Sequence, residues 1–392
     1  MATINVVKKR GNTILAGRNK FAFDYWLLLI VGALLVIGFL MVYSTTFDLG
    51  YLREENSIYF VTRQITAMLL GLGIIVVLMQ FDYHVLRYRH VSVILLLLTW
   101  VILLGMIIFG KVDEYGAVRT LSGGSYQPSE LAKLVAILYV ADWLDSKGDR
   151  IKTLNYGLVP FSIITGVMFA LIVAQPALSA AILIAAICFT LFFVAGADLK
   201  QVLVALSLAL VVVFVMILTL SHASQRVSDY LDGINNPLEA SYQVKHALAA
   251  LANGGIFGVG IGQGGQKFGS LPLAHTDGMF AIIGEELGLV GMLGVMILFG
   301  LLTWRGLLVA SRARDTYGSL LAVGATMWIA YQALIHVAVN TAVMPFTGVP
   351  MPFLSYGGSS MLMTLTAIGI LLNVSRDAAN GRRVSRPQPG AG

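Results

Sequence analysis

The sequence predicts an all-α polytopic membrane protein of ten transmembrane helices, with both termini cytoplasmic and a large external segment between the seventh and eighth helices. Three observations carry this prediction. Of 392 residues, 57% are hydrophobic and 12% charged, against about 45–50% and about 25% in soluble domains. The apolar residues come in continuous runs of about 20, the length that crosses a hydrocarbon core of about 30 Å. Barrel strands would instead alternate in segments of about ten residues. The third observation is a lopsided distribution of Lys and Arg among the connections.

The first run, 25–45, is too long for a signal-peptide core and ends in VYSTTF without a small-residue cleavage site, so it reads as a retained helix. Further spans are expected at 59–80, 91–110, 129–144, 156–174, 177–195, 201–221, 278–303, 318–344 and 357–374. With residues 1–24 inside, 18 basic residues fall on the inside. Six fall outside, namely Arg53, Lys111, Arg119, Arg226, Lys245 and Lys267, while Arg63 and Lys133 lie within spans. An excess of Lys and Arg marks the cytoplasmic side, so both termini are expected there. The chain thus divides into a basic N-terminus (1–24), a membrane domain (25–374) and a basic, Pro/Gly-rich tail (375–392). The tail is expected to be disordered, with phospholipid contact the weaker alternative.

The net charge of +6 is spread over several loops, which speaks for orientation and against nucleic-acid binding. Cys188, the single cysteine, lies in the apolar run AAICFTLFFV, so neither a disulfide framework nor a cysteine metal site is expected.

Two external segments, 111–128 and 222–277, are long enough to carry function. Within the second, ASYQVKHALAALANGG has helix-like apolar spacing and reads as an amphipathic helix on the outer surface. GIGQGG, Gly260 to Gly265, matches a dinucleotide fingerprint by spacing, but no βαβ unit surrounds it, so a turn or close helix packing is expected.

LPLAHTDGMFAIIGEELGLVG places His275, Thr276 and Asp277 at the mouth of the eighth span and Glu285 and Glu286 inside it. Intramembrane carboxylates are costly and normally face a polar cavity or a cation. On an ideal helix Glu285 lies about 80° round from Asp277 and about 12 Å deeper, with Glu286 nearly opposite, so the three cannot share one site. Asp277 is either an N-cap or a catalytic carboxylate. His275 has no recognisable metal or triad partners and reads as a surface histidine. Glu130 and Lys133, three apart at the start of the fourth span, suit mutual neutralisation. Arg63 lacks a local partner and is expected to meet Glu285 or Glu286. MPFTGVPMPFLSYGGSS is too rich in proline and glycine for a straight span; irregular backbone at membrane depth requires cover by protein or a water-filled cavity.

The combination of DYWLLLIVGALLVIGFLMVYS, QPSELAKL, GGIFGVGIG with QK, LPLAHTD followed by IIGEELG, and TGVPMPFLSYGGSS resembles the SEDS family of shape, elongation, division and sporulation proteins. The resemblance runs from about Asp24 to Ser375, and IIGEELG and MVYS are closer to the division branch than to the elongation branch. It implies a peptidoglycan glycosyltransferase that polymerises lipid II on the outer face of the cytoplasmic membrane and releases undecaprenyl pyrophosphate. Asp277 matches the family's essential aspartate, suited to take the proton of the attacking sugar hydroxyl. Arg119 and Lys267 fall in family motifs and are the first candidates to neutralise the pyrophosphate, followed by Lys245 and Lys133, with Arg226 behind them. Glu130 of QPSE and Ser355 of PFLSYGGSS complete the candidate substrate site. No metal cluster is visible in the sequence; any divalent cation, Mg or Mn, would be held by Asp277 with substrate phosphates. The resemblance also implies a class B penicillin-binding protein as partner, together with other divisome or elongasome membrane proteins.

The chain departs from the family pattern at Thr120, where Trp is usual, at Ala177 in place of the QPD carboxylate, and at Leu273, His336 and Ala342. Beside the enzyme, a lipid II transporter and a catalytically weakened scaffold for the transpeptidase therefore stay open.

Overall fold

The computed structural model describes residues 23–109, 127–175, 177–236 and 240–384, and among these residues it is helical with no strand. Twelve α-helices follow in order: α1 (Tyr25–Glu54), α2 (Tyr59–Leu78), α3 (Arg89–Phe109), α4 (Pro128–Lys147), α5 (Leu158–Val173), α6 (Leu178–Val194), α7 (Leu199–Thr219), α8 (Ser221–Asn235), α9 (Tyr242–Gly254), α10 (Met279–Ser311), α11 (Thr316–Asn340) and α12 (Gly358–Val384). Each expected span coincides with a helix, and α8 and α9 occupy the long segment between α7 and α10, where one amphipathic helix was expected.

Among the described residues seven helices, α1–α3, α7 and α10–α12, are long and apolar enough to cross a membrane. The apolar α5 and α6 are shorter, at 16 and 17 residues. Helix α4 has the length but carries Glu130, Lys133, Asp142, Asp145 and Lys147. It tolerates them because protein surrounds it: α3, α6 and α11 pack around it, and most of Pro128–Leu144 is buried. Ser92 of α3, for instance, donates to Asp142 at 2.6 Å. A charged group inside a bundle meets partners that a lipid-facing one lacks.

Helices α11 and α12 form the centre, with 72% and 78% of their most apolar stretches buried, against 17% for α7. The exposed face of α7 presents Leu203, Leu208, Leu210, Phe214 and Leu218, a surface suited to lipid rather than water.

At one end Asp24 joins three helices. One carboxylate oxygen caps α1 by accepting from Leu27 N–H at 3.1 Å, the other pairs with Arg305 of α10 at 2.5 Å, and its own N–H donates to Ser375 of α12 at 2.9 Å. Here the disordered-tail expectation is corrected: residues 375–384 continue α12, and Ser375 to Ala378 are buried. Arg376 donates to Phe81 C=O at 2.8 Å, and Asp377 pairs with Arg314. Composition marks these charges as solvated, whereas tertiary partners neutralise them. Residues 1–22 and 385–392 lie outside the described residues.

The α2–α3 connection is locked to the start of α11. Asp315 caps α11 by accepting from Gly318 N–H at 2.7 Å, and it accepts the Tyr83 hydroxyl at 2.5 Å with His84 Nε2 3.1 Å away. Partial burial alone would raise its pKa, but these bonds outweigh burial and hold the carboxyl below its ordinary 3.8. Desolvation and the bond to this carboxylate push the Tyr83 phenol above its usual range. Because the folded-state pKa is depressed, the stabilisation is present above the unfolded value and is lost as pH falls through the folded one. Thermal unfolding followed from about pH 7 to about pH 3 should show a decline that Asp315→Asn diminishes.

Gly288 breaks α10 at φ 67°, ψ −167°, a conformation essentially reserved for glycine. A side chain there would also meet Gly258 N at 2.3 Å and Ile256 C=O at 2.4 Å. Gly288→Ala should therefore lower stability by more than the roughly 1–3 kcal/mol of backbone strain alone, measurable as a drop in Tm.

Candidate active site

The break in α10 receives the glycine-rich strap. Val259 N–H and Gly260 N–H donate to the Glu285 and Glu286 carbonyls at 3.0 Å each, and Leu289 N–H and Val290 N–H donate back to Gly255 and Ile256 at 3.0 and 3.1 Å. The strap is thus the close-packed turn expected of it. Glu285 accepts from Gly265 N–H at 3.1 Å, Gln266 N–H at 3.2 Å and Asn253 at 3.4 Å. Glu286 pairs with Lys267 at 2.7 Å, and the Ser44 hydroxyl of α1 donates to the same carboxylate. Arg63 was expected to be the partner of one of these acids, and this is corrected. It is exposed and stacks over Tyr59, 4.7 Å from the ring centroid. The reason is reach: the strap folds Lys267 back onto α10 across 19 residues of sequence.

Asp277 stands apart from both acids. It lies in a turn whose first residue, Leu273, has φ 53°. The Leu273 carbonyl accepts from the N–H groups of Thr276, Asp277 and Gly278 at 3.0, 2.9 and 3.3 Å. Asn340 donates to Asp277 C=O at 2.9 Å, Ser355 donates to Thr276 C=O at 2.6 Å, and Tyr356 N–H donates to His275 C=O at 2.8 Å. The end of α11 and the irregular segment after it therefore clamp the turn. The N-cap of α10 is Gly278, with no side-chain capping bond, so the capping alternative for Asp277 does not hold. His275 is partly buried against Phe60 and Tyr356 rather than lying on the open surface.

Asp277 is buried at 7% exposure and lines a cavity of about 350 Å³ with Leu273, Gln243 of α9, and Arg226, Asp229 and Tyr230 of α8. Tyr230 donates to Val343 C=O at 2.7 Å, tying α8 to the loop beyond α11. A smaller cavity of about 30 Å³ is lined by Glu130, Lys133, Ala177 and Ser179, and it shares Arg226 and Gly348 with the first. Lys133 is buried, pairs with Glu130 at 2.7 Å and donates to Gln332 at 2.7 Å. The second Glu130 oxygen is buried without a hydrogen-bond partner among the described residues. Pairing and cavity lining thus coexist in these two residues.

The other expected site residues are dispersed. Lys267 is engaged with Glu286 and Ser44. Lys245 is exposed on α9 and is not among the residues lining the two cavities. The Ser355 hydroxyl both donates to Thr276 C=O and accepts from Met351 N–H, which gives it a place beneath the Asp277 turn. Arg119 and Thr120 lie outside the described residues, as does most of the 111–128 segment. The residues that α8 contributes, Asp229 and Tyr230 above all, escaped sequence reasoning, although Arg226 and Asp229 stand one helical turn apart.

Three family departures acquire a physical meaning. His336 Nδ1 donates to Val349 C=O at 2.7 Å while Nε2 accepts from Phe280 N–H at 3.3 Å. A neutral imidazole supplies one donor and one acceptor, the same pair that the expected Asn side chain offers. Ala342, where the family has Gly, holds φ 56°, a conformation that favours glycine. Ala177 lines the smaller cavity, next to the Glu130–Lys133 pair.

Fold and site together define an integral membrane protein, helical throughout its described residues, with an acid-bearing cavity at the Asp277 end of its helices. The cell cycle protein family of FtsW, RodA and SpoVE matches residues 25–380. The chain belongs to that family. Stage V sporulation protein E of Bacillus subtilis is 37% identical over 359 residues, covering 90% of this chain and 97% of that protein. A relative in Trichlorobacter lovleyi, named probable peptidoglycan glycosyltransferase FtsW, is 36% identical over 356 residues, covering 90% and 93%. A solved chain from work on structural coordination of polymerization and crosslinking by a peptidoglycan synthase complex superposes with TM-score 0.74 at 28% identity, covering 91% and 99%.

Proposed function

We propose that this protein is a peptidoglycan glycosyltransferase that polymerises lipid II into glycan strands on the outer face of the cytoplasmic membrane, releasing undecaprenyl pyrophosphate. The observation that carries the reading is Asp277: a buried carboxylate on a clamped turn, not used as a helix cap, facing a cavity that also holds Arg226. The family membership and the names of its relatives supply the reaction class.

The transmembrane reading has α1–α7 and α10–α12 as ten spans, with α4 sheltered inside the bundle and α5 and α6 tilting little because they are short. The basic connections put both termini in the cytoplasm and the Asp277 cavity outside. Asp277 takes the proton of the acceptor 4-hydroxyl as it attacks the anomeric carbon of the donor. Arg226, at the junction of the two cavities, and Lys133 beyond it neutralise the departing pyrophosphate. Asp277 and Asp229 are hard oxygen donors in one cavity, a set that suits Mg or Mn completed by substrate phosphates. Among the described residues no three His, Cys, Asp or Glu side chains gather as a metal cluster. Such a cation would add charge neutralisation at the leaving group. A class B penicillin-binding protein is the proposed partner, in keeping with the synthase complex among the structural neighbours.

The purified protein reconstituted with lipid II, with and without the transpeptidase, should yield glycan strands. Labelled lipid II crossing vesicles with no polymer formed in either condition would overturn the reading in favour of transport.

A further inference from the structure

We propose that a cavity at the opposite end of α10 from Asp277 binds the phosphate headgroup of an anionic phospholipid. The cavity, about 390 Å³, lies between the start of α1 and the ends of α10 and α12 and is lined by Asp24, Tyr25, Trp26, Arg305, Arg312 and Ser375. Its charge is unbalanced. Asp24 is committed to Arg305 and to Leu27 N–H, so those two charges cancel. Arg312 is exposed and makes no ion pair among the described residues, which leaves the cavity one positive charge. Arg305 reaches Asp24 through Nη2. A phosphodiester oxygen entering the cavity would answer the uncompensated charge of Arg312, and guanidinium groups match phosphate geometry.

The cavity's rim argues for a lipid rather than free phosphate. Tyr25 and Trp26 line the cavity and are 58% and 63% exposed, and Trp304, the residue before Arg305, is 60% exposed; such side chains settle at headgroup depth. Next to them Leu29 of α1 and Leu301 of α10 expose apolar surface along which acyl chains can run. Basic pockets between membrane helices are established places for headgroup recognition. The continuation of α12 through Ala378 and Ala379 closes the cavity with small side chains, which leaves room for the headgroup.

The full chain in detergent, supplied with phosphatidylglycerol or phosphatidylcholine and read by native mass spectrometry, tests the site. We expect phosphatidylglycerol to be retained preferentially. Arg312→Gln should weaken retention about fivefold, the worth of one basic charge near a membrane surface, and Arg312→Lys should restore most of it. Lys152→Gln, the same charge change on a remote exposed side chain, should leave retention unchanged. Equal retention of the two lipids, equal loss in both Gln variants, or displacement of the lipid by excess inorganic phosphate would overturn the proposal.

Discussion

Asp277→Asn is expected to lower lipid II polymerisation by about 10²–10⁴-fold, the range that a positioned general base contributes, without a matching loss of stability. The amide keeps the size of the carboxylate and removes its basicity. What holds the turn is largely backbone: Asp277 N–H bonds to Leu273 C=O, and Asp277 C=O accepts from Asn340. Both bonds survive the substitution. The Gly278 cap is likewise untouched. Turnover should therefore fall while the free energy of unfolding stays within about 1 kcal/mol of wild type, because the substitution keeps the size of the side chain and the backbone bonds of the turn. Wild-type turnover in the variant would remove Asp277 as the base, and equal losses of turnover and fold would return it to a structural role.

Lys267→Met should be the most destabilising of the charge substitutions, by about 3–5 kcal/mol, because it leaves Glu286 as an unpaired buried charge. The side chains of Lys267 and Glu286 are 4% and 0% exposed, and Ser44 is the other polar group on the carboxylate. Replacing both members by apolar residues, Lys267→Met with Glu286→Met, should recover most of that loss, since a well-packed apolar substitute is often neutral. The double variant also separates two roles for Lys267. If the lysine serves as a latch between the strap and α10, activity returns with stability. If it neutralises pyrophosphate, the double variant is stable and inactive.

Much of the fold was legible in the sequence because apolar periodicity and length act locally. A run that cannot satisfy its backbone in lipid except as a helix has one solution, and every expected span indeed falls on a helix. Asp277 was legible as a choice between cap and catalyst, and Glu130–Lys133 as a pair at helical spacing. The failures have a common origin. Arg63 and the 375–384 stretch were read from neighbours in sequence, whereas their surroundings depend on segments tens to hundreds of residues away: Arg376 meets Phe81, and the strap delivers Lys267 rather than Arg63 to Glu286.

The sequence by itself determined that the chain is a helical membrane protein, how its charges are distributed, and which acid stands at the start of α10. Tertiary structure alone decided that Gly278 rather than Asp277 caps that helix, that α8 brings Arg226 and Asp229 to the same cavity, and that Glu285 and Glu286 anchor the glycine strap. The physical reason is range. Burial of apolar surface and backbone hydrogen bonding in a helix are settled within a few turns, but the partner of a buried charge is whichever group packing delivers to it.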